Sequence, residues 1–202
     1  NVDDDGTITP GNDCYVTGDT TERCDRPVPI GVSTGHPAIT AGTIGARLTD
    51  GPNVYALSNN HVYANENLAS LGDEVIQPGT YDGGTTSTDV VGTLEQYVPI
   101  QFNNSGTCTT GDVNDADCNL VDAAIALSST SDLGNATPND GYGIPDSQTY
   151  TSGLFNLKAR KYGRTTGQTD GKVKFINATV NVGYDTGVAK FVGQIVFGGG
   201  NF

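Results

Sequence analysis

The sequence lacks long apolar runs and is poor in basic residues. No stretch approaches the about 18 consecutive apolar residues that indicate a membrane-spanning helix, so we expect no membrane partner. Ten Lys and Arg stand against 23 Asp and Glu, which gives a formal net charge of −13. Such a surface repels phosphate backbones, so no nucleic-acid partner is expected. The first residues are polar and acidic, and we expect any signal peptide to have been removed from this numbering.

Short apolar runs broken by turn residues make up most of the chain. There are 28 Gly and nine Pro, and segments such as PVPIGVSTG, VYALSNN and DEVIQPG have strand length. The run LVDAAIALSS fits a strand or a helix by periodicity, and its length and neighbours favour a strand. Only HVYANENLASLG resembles a helix, of a turn or two at most. The sequence therefore predicts an all-β fold.

Composition divides the chain into four parts. Residues 1–25 are rich in Asp, Gly and Thr and are expected to form an acidic N-terminal extension. Strand patterns run over 26–128 and resume over 153–202. The polar stretch 129–152 between them is the best candidate for a connection. We therefore predict two β domains joined by this connection.

The four cysteines form two pairs, each with a spacing of ten residues in a polar, turn-rich context. No second pair or histidine has the spacing of a zinc site. Two local disulfides, Cys14–Cys24 and Cys108–Cys118, are the better interpretation, and they would place the protein in an oxidising compartment. Four unpaired surface thiols are the alternative.

One of only two histidines, His61, follows a short apolar run in ALSNNHVYA. A histidine exchanges a proton near neutral pH, although a lone histidine is more often structural than catalytic. Small polar residues surround His61, as at a strand end that opens onto a cleft. Downstream, the strand-like NLVDAAIAL contains Asp122 among apolar neighbours. A buried carboxylate needs a hydrogen-bond partner, and an imidazole N–H is a suitable one.

Three segments together resemble the secreted bacterial branch of the trypsin-like (chymotrypsin-fold) serine endopeptidases: AGTIGARLTDGPNVYALSNNHVYA, NLVDAAIAL and KYGRTTGQTDGKV, in that order. The resemblance covers roughly residues 26–202. It implies two six-stranded β-barrels with the active site in the cleft between them. His61 would be the general base, and Asp122 would fix its tautomer and stabilise the imidazolium. Both would come from the first barrel, and the segment around Arg164 would open the second.

The family's third element does not match. The nucleophilic serine should lie in a GDSGS-like turn after a strand such as FVGQIVF, and no Gly-Asp-Ser-Gly string occurs in the sequence. We do not expect Ser58, Ser147 or Ser152 to replace it, because the first is in a structural position of the motif and the others have nothing to activate them. A cut protein, a chain that stops early and an inactive homologue remain open. The second barrel is expected to be incomplete in this chain.

The opening NVDDDGTITPGND partly fits a calcium loop. Asp3, Asp5 and Asp13 could supply oxygen ligands, but the bidentate Glu that normally closes such a loop is absent. A solvated acidic turn is as good an account. A structural calcium ion is therefore an open prediction, and no cofactor is required for the expected chemistry.

Two functions remain open. The first is a secreted or periplasmic serine endopeptidase that hydrolyses polypeptide substrates by acyl transfer and is seen without the C-terminal segment that bears the serine. This chain would then be inactive alone, with its own C-terminal fragment as a candidate partner. The second is an inactive protease-like binding or structural module, stabilised by calcium. Retention of both His61 and Asp122 favours the enzyme.

Two further residues have expected structural roles. His36 precedes a proline in STGHPAIT and is expected in a surface turn or hairpin. Arg164 in YGRTTG is expected to tie a loop to the barrel rather than to bind an anion.

Overall fold

The computed structural model describes residues 13–199. Within this range β-strands are the main regular secondary structure and helices are few and short, so the predicted all-β class is confirmed. The α-helices in it are α1 (Cys14–Thr17) and α2 (Asn60–Tyr63), each about one turn long. No helix in the described range has the length and hydropathy needed to cross a membrane.

The described chain separates into two compact units, each built from non-consecutive pieces. Unit 1 contains the described residues up to Tyr97, Ala123–Pro145 and Tyr162–Gln168. Unit 2 contains Val98–Asp122, Asp146–Lys161 and the described residues from Thr169 onward. The domain boundaries predicted from composition stay a prediction.

Unit 1 contains a five-stranded antiparallel sheet with the order β3-β4-β7-β6-β5, and a small separate pair, β1-β2. The strands are β1 (Ser33–Thr34), β2 (Gly42–Thr43), β3 (Ala46–Asp50), β4 (Asn53–Ser58), β5 (Glu74–Ile76), β6 (Val90–Tyr97) and β7 (Ala124–Ser128). Burial alternates along β4 because successive side chains point to opposite faces of the sheet. The strand predicted in LVDAAIALSS is confirmed as β7.

The core of unit 1 is one continuous cluster of apolar side chains. Its large members include Tyr63, Ile30, Ile44 and Leu94, all at most 1% exposed. Leu133 belongs to the same cluster, although it comes from the polar stretch predicted as a connection. That part of the stretch therefore packs into unit 1.

Unit 2 holds most of a three-stranded sheet with the order β10-β9-β8. Its strands are β8 (Lys158–Gly163), β9 (Gly167–Gly183) and β10 (Val188–Gly198). The pair β9–β10 is antiparallel and has register shifts between Phe191 and Phe197. Its buried clusters are small: one is formed by Ile100, Ala189 and Phe191, and the other by a cystine and Val192.

Both predicted disulfides are formed. Cys14–Cys24 joins Cα atoms 5.4 Å apart in unit 1, and Cys108–Cys118 joins Cα atoms 4.8 Å apart in unit 2. The described residues contain no free cysteine. The alternative of unpaired thiols is therefore wrong.

Candidate active site

His61 lies on the single helical turn that follows β4. Asn59 is still extended, at φ −76° and ψ 155°, and the chain then turns into α2, which the Ala64 N–H closes on the Asn60 carbonyl at 2.7 Å. The neighbours Asn60 and Val62 are buried, whereas His61 is only partly buried. The helical turn therefore holds the imidazole near the surface between two anchored residues.

The chain after α2 has an unusual backbone. Asn65, Glu66 and Asn67 all have positive φ, at 46°, 56° and 72°. Asparagine tolerates this region, but glutamate does not favour it, so surrounding contacts must impose the conformation. One such contact is the pair of hydrogen bonds with Asn60, in which Asn60 Nδ2 donates to Asn67 Oδ1 at 2.8 Å and the Asn67 N–H donates to Asn60 Oδ1 at 3.2 Å. These bonds fix the turn that carries His61.

Val62 fixes the opposite side of α2. A Cβ atom on Gly42 would lie 2.4 Å from the Val62 side chain, so only glycine allows β2 to approach the helix this closely. The Val62 carbonyl also accepts the His36 N–H at 2.9 Å. The position of the helix is therefore set by packing within unit 1.

Asp122 lies two residues before β7 and is partly buried. In the antiparallel β4–β7 ladder, Ser58 pairs with Ala124, so the last residue of β4 lies beside the first residue of β7. His61 comes three residues after Ser58, and Asp122 comes two residues before Ala124. Along the chain, His61 and Asp122 are therefore each at most three residues from the Ser58–Ala124 pair.

Of the three serines considered as a replacement nucleophile, one is held in the sheet and two lie in an exposed stretch. Ser58 is 7% exposed, and its hydroxyl donates to the Thr43 carbonyl at 2.8 Å, in agreement with a structural role. Ser147 and Ser152 are exposed in the stretch before β8.

Arg164 ties a loop within unit 1, as predicted. Its guanidinium binds the Asp82 carboxylate through two nitrogens, with Nε at 2.8 Å from Oδ2, and lies 5.1 Å from the Tyr81 ring centre. Its own backbone N–H donates to Thr43 Oγ1. Burial alone would raise the pKa of Asp82, but hydrogen bonds from Arg164 and Ser33 and the Arg164 charge outweigh it and lower that pKa.

His36 lies in a turn, as expected, and its side chain is partly buried. Its side chain is 13% exposed, because it contacts Asp73 with Nε2 at 3.2 Å from Oδ2. The Ala38 N–H donates to Nδ1 at 3.1 Å, so Nδ1 carries no proton and Nε2–H donates to the carboxylate. The hydrogen bonds from Ser70 and His36 lower the pKa of Asp73. Unit 1 therefore contains a His–Asp pair formed by His36 and Asp73.

Tyr184 is a contact of Asp122 that the sequence analysis missed. Its hydroxyl donates to Asp122 Oδ2 at 3.0 Å, and both residues belong to unit 2. A tyrosine in a strand-rich sequence looks like a core or cross-strand residue, and no local pattern connects positions 62 apart. Only the fold could have identified it.

The predicted calcium ligands Asp3 and Asp5 lie outside the described residues. Asp13 precedes α1 with an exposed side chain, and its carbonyl accepts the N–H groups of Val16 and Thr17. Within residues 13–199, no group of three or more His, Cys, Asp or Glu side chains could hold a metal ion. Calcium binding stays a prediction.

Comparison with known proteins places this chain beside bacterial proteases. No family model and no curated protein matches it. Among solved structures, Protease A of Thermobifida fusca has 16% identity and a TM-score of 0.48, and the match covers 81% of this chain and 67% of that one. The Nocardiopsis protease NAPase has 19% identity and a TM-score of 0.46, over 81% and 68% of the two chains. Similarity at this level carries no argument about the family or the site of this chain.

Proposed function

We propose that this protein is a secreted serine endopeptidase of the trypsin-like family, in which His61 and Asp122 are the base and the acid of the catalytic triad. The substrate is a polypeptide. The nucleophilic serine and the oxyanion-hole amides belong to sequence outside these 202 residues. The chain by itself is then inactive, and the segment that bears the serine is its partner.

The observation that carries the proposal is the Ser58–Ala124 pairing between β4 and β7. Along the chain, His61 follows Ser58 by three residues and Asp122 precedes Ala124 by two, although His61 and Asp122 are far apart in sequence. The partial burial of both residues is a second support, since a catalytic pair must be accessible to substrate and still held firmly.

The residues present have defined roles in acyl transfer. His61 accepts the serine proton as Oγ attacks the peptide carbonyl, and the resulting imidazolium then protonates the leaving amine. A water molecule, deprotonated by His61, cleaves the acyl-enzyme and releases the second product. Asp122 accepts the Nδ1–H of His61, which fixes the tautomer and stabilises the imidazolium.

Two features support the secreted location and the incomplete second barrel. Both disulfides are of a kind that persists in oxidising compartments. The strands β9 and β10 also carry large exposed apolar side chains, including Phe175 at 65% and Ile176 at 51%. We expect a packing partner to cover large apolar side chains that a sheet leaves exposed in this way. We assign that partner to the segment that bears the serine.

The test compares Asp122→Asn with Asp73→Asn in the full-length protein, since Asp73 is the carboxylate of the second His–Asp pair. Replacing Asp122 should lower turnover of a labelled protein substrate by about 10⁴, the loss known from the chymotrypsin template. Replacing Asp73 should leave turnover within about threefold, because that pair only holds a turn. Labelling by a fluorophosphonate probe reports whether the nucleophile is assembled.

Near-normal turnover in Asp122→Asn would remove the proposed catalytic pair. Failure of the wild-type full-length protein to react with the probe or to cleave substrate would instead support the inactive binding module.

A further inference from the structure

Tyr184 occupies a rigid position at the start of the turn between β9 and β10. Its N–H donates to the Gly187 carbonyl at 2.8 Å, which closes the turn. Its ring packs edge-on against Phe102, with ring centres 5.6 Å apart, and lies 6.4 Å from Phe191. Aromatic packing on two sides and a closed turn restrict the ring, so its hydroxyl points in a fixed direction.

The segment that carries Asp122 is anchored to the same strand pair. Asn119 forms a bridge with Phe191, and the Asn119 carbonyl accepts the Val192 N–H at 3.0 Å. One residue later, the Leu120 carbonyl accepts a hydrogen bond from Gln194 Nε2 at 2.8 Å. The backbone leading to Asp122 is therefore held against β10, within the unit that contains Tyr184.

The bond from Tyr184 Oη to Asp122 Oδ2 joins these two anchored groups at 3.0 Å. Because the donor cannot move far, the bond restricts rotation of the carboxylate about its Cβ–Cγ axis. A hydrogen bond to an ionised group is also among the stronger ones in proteins. The Tyr184 hydroxyl thus fixes the orientation of the Asp122 carboxylate.

We propose that Tyr184 is a positioning residue of the active site: its hydroxyl holds Asp122 in the orientation in which the carboxylate receives the Nδ1–H of His61. This inference rests on the proposed function. In this role the effect of Tyr184 on the reaction passes through Asp122.

The test is Tyr184→Phe in the full-length protein, which removes the hydroxyl and keeps the packed ring. The matched control is Tyr162→Phe, which removes a Tyr–Asp hydrogen bond of 2.7 Å to Asp140 in unit 1. We expect Tyr184→Phe to lower kcat about tenfold with KM within about twofold, because an interaction that matters only for proton transfer does not change substrate binding. Tyr162→Phe should change neither.

A double-mutant cycle separates positioning from simple destabilisation. In the Asp122→Asn background, Tyr184→Phe should cause no further loss of kcat, since the group it orients no longer performs its role. A second cycle needs no assay of activity. If Tyr184→Phe and Asp122→Ala remove the same hydrogen bond, their effects on the free energy of unfolding in urea are not additive.

The outcomes are distinct. An equal loss of kcat from Tyr184→Phe in both backgrounds, or no loss while Asp122→Asn is severely impaired, overturns the positioning role and leaves the proposed function intact. Unimpaired turnover in Asp122→Asn overturns the proposed function and the inference with it. Coupled unfolding together with the tenfold, background-dependent loss of kcat supports the inference.

Discussion

The two units bury their sheets to very different degrees. In unit 1, short strands surround one continuous core, and Leu94 at the centre of β6 is 1% exposed. In unit 2, β9 and β10 are longer, their buried clusters are small, and Phe175 on β9 is 65% exposed. The difference shows that unit 1 completes its core from its own residues, whereas the sheet of unit 2 leaves apolar surface without cover from the described chain.

The same contrast holds for charged pairs. Each unit contains an Arg–Asp bridge, but the side chains of Arg164 and Asp82 in unit 1 are 20% and 7% exposed. Those of Arg160 and Asp170 in unit 2 are 63% and 69% exposed. The two Arg–Asp bridges therefore affect the free energy of unfolding differently. Water screens the Arg160–Asp170 bridge but is largely excluded from the Arg164–Asp82 bridge.

The largest expected effect comes from breaking the buried bridge. Arg164→Met should lower the free energy of unfolding by about 3 to 5 kcal/mol, because it leaves the Asp82 carboxylate buried without its charged partner. Arg160→Met should change it by less than about 1 kcal/mol. Urea unfolding of both variants checks this, and equal losses would show that burial does not distinguish the bridges.

The two disulfides allow a second comparison of the units, with a smaller expected difference, because they close loops of equal length. Each closes a ten-residue separation, so loop entropy predicts a similar loss of about 3 kcal/mol on removal. We expect replacement of both Cys14 and Cys24 by alanine to cost more than replacement of Cys108 and Cys118, because the first pair belongs to the large core. Alanine at position 24 also removes the hydrogen bond of 3.4 Å from the buried Gln77 Nε2 to Cys24 Sγ.

Urea unfolding under non-reducing conditions measures both losses. A greater loss on removal of Cys108–Cys118 would mean that unit 2 depends on its cystine more than its small cluster indicates.

The smallest effect is a difference in response to acid. The fold lowers the pKa of Asp82 below its ordinary value of 3.8, so the unfolded chain binds the proton more tightly. The stabilisation from this group is present above that value and is lost as the pH falls through the lower, folded pKa. Asp82→Asn should therefore make the Tm less dependent on pH in the acid range below about pH 4. Asp170→Asn serves as the control, and an identical acid response of the two variants would contradict the assignment.

Much of the local structure was predictable because it depends on near neighbours. The strand at LVDAAIALSS, the single helical turn at His61 and both disulfides follow from patterns within about ten residues. A structural contact between Arg164 and a loop was also expected, but its partner Asp82 is 82 residues away and could not be named.

Burial and partners of single polar residues were not predictable. His36 lies in the expected turn, but its partner Asp73 comes from a different loop and could not be named from the sequence. Tyr184 gave no local signal at all. In both cases the deciding contact joins segments whose separation depends on how the strands pair.

The sequence by itself determined the all-β class and the local cystines, and it singled out His61 and Asp122 as the candidate pair. It did so because strand periodicity, turn residues and side-chain chemistry are local properties. The tertiary structure decided that Ser58 faces Ala124 and that the Tyr184 hydroxyl reaches Asp122. Those facts depend on strand register and on the packing of distant segments, which no short stretch of sequence encodes.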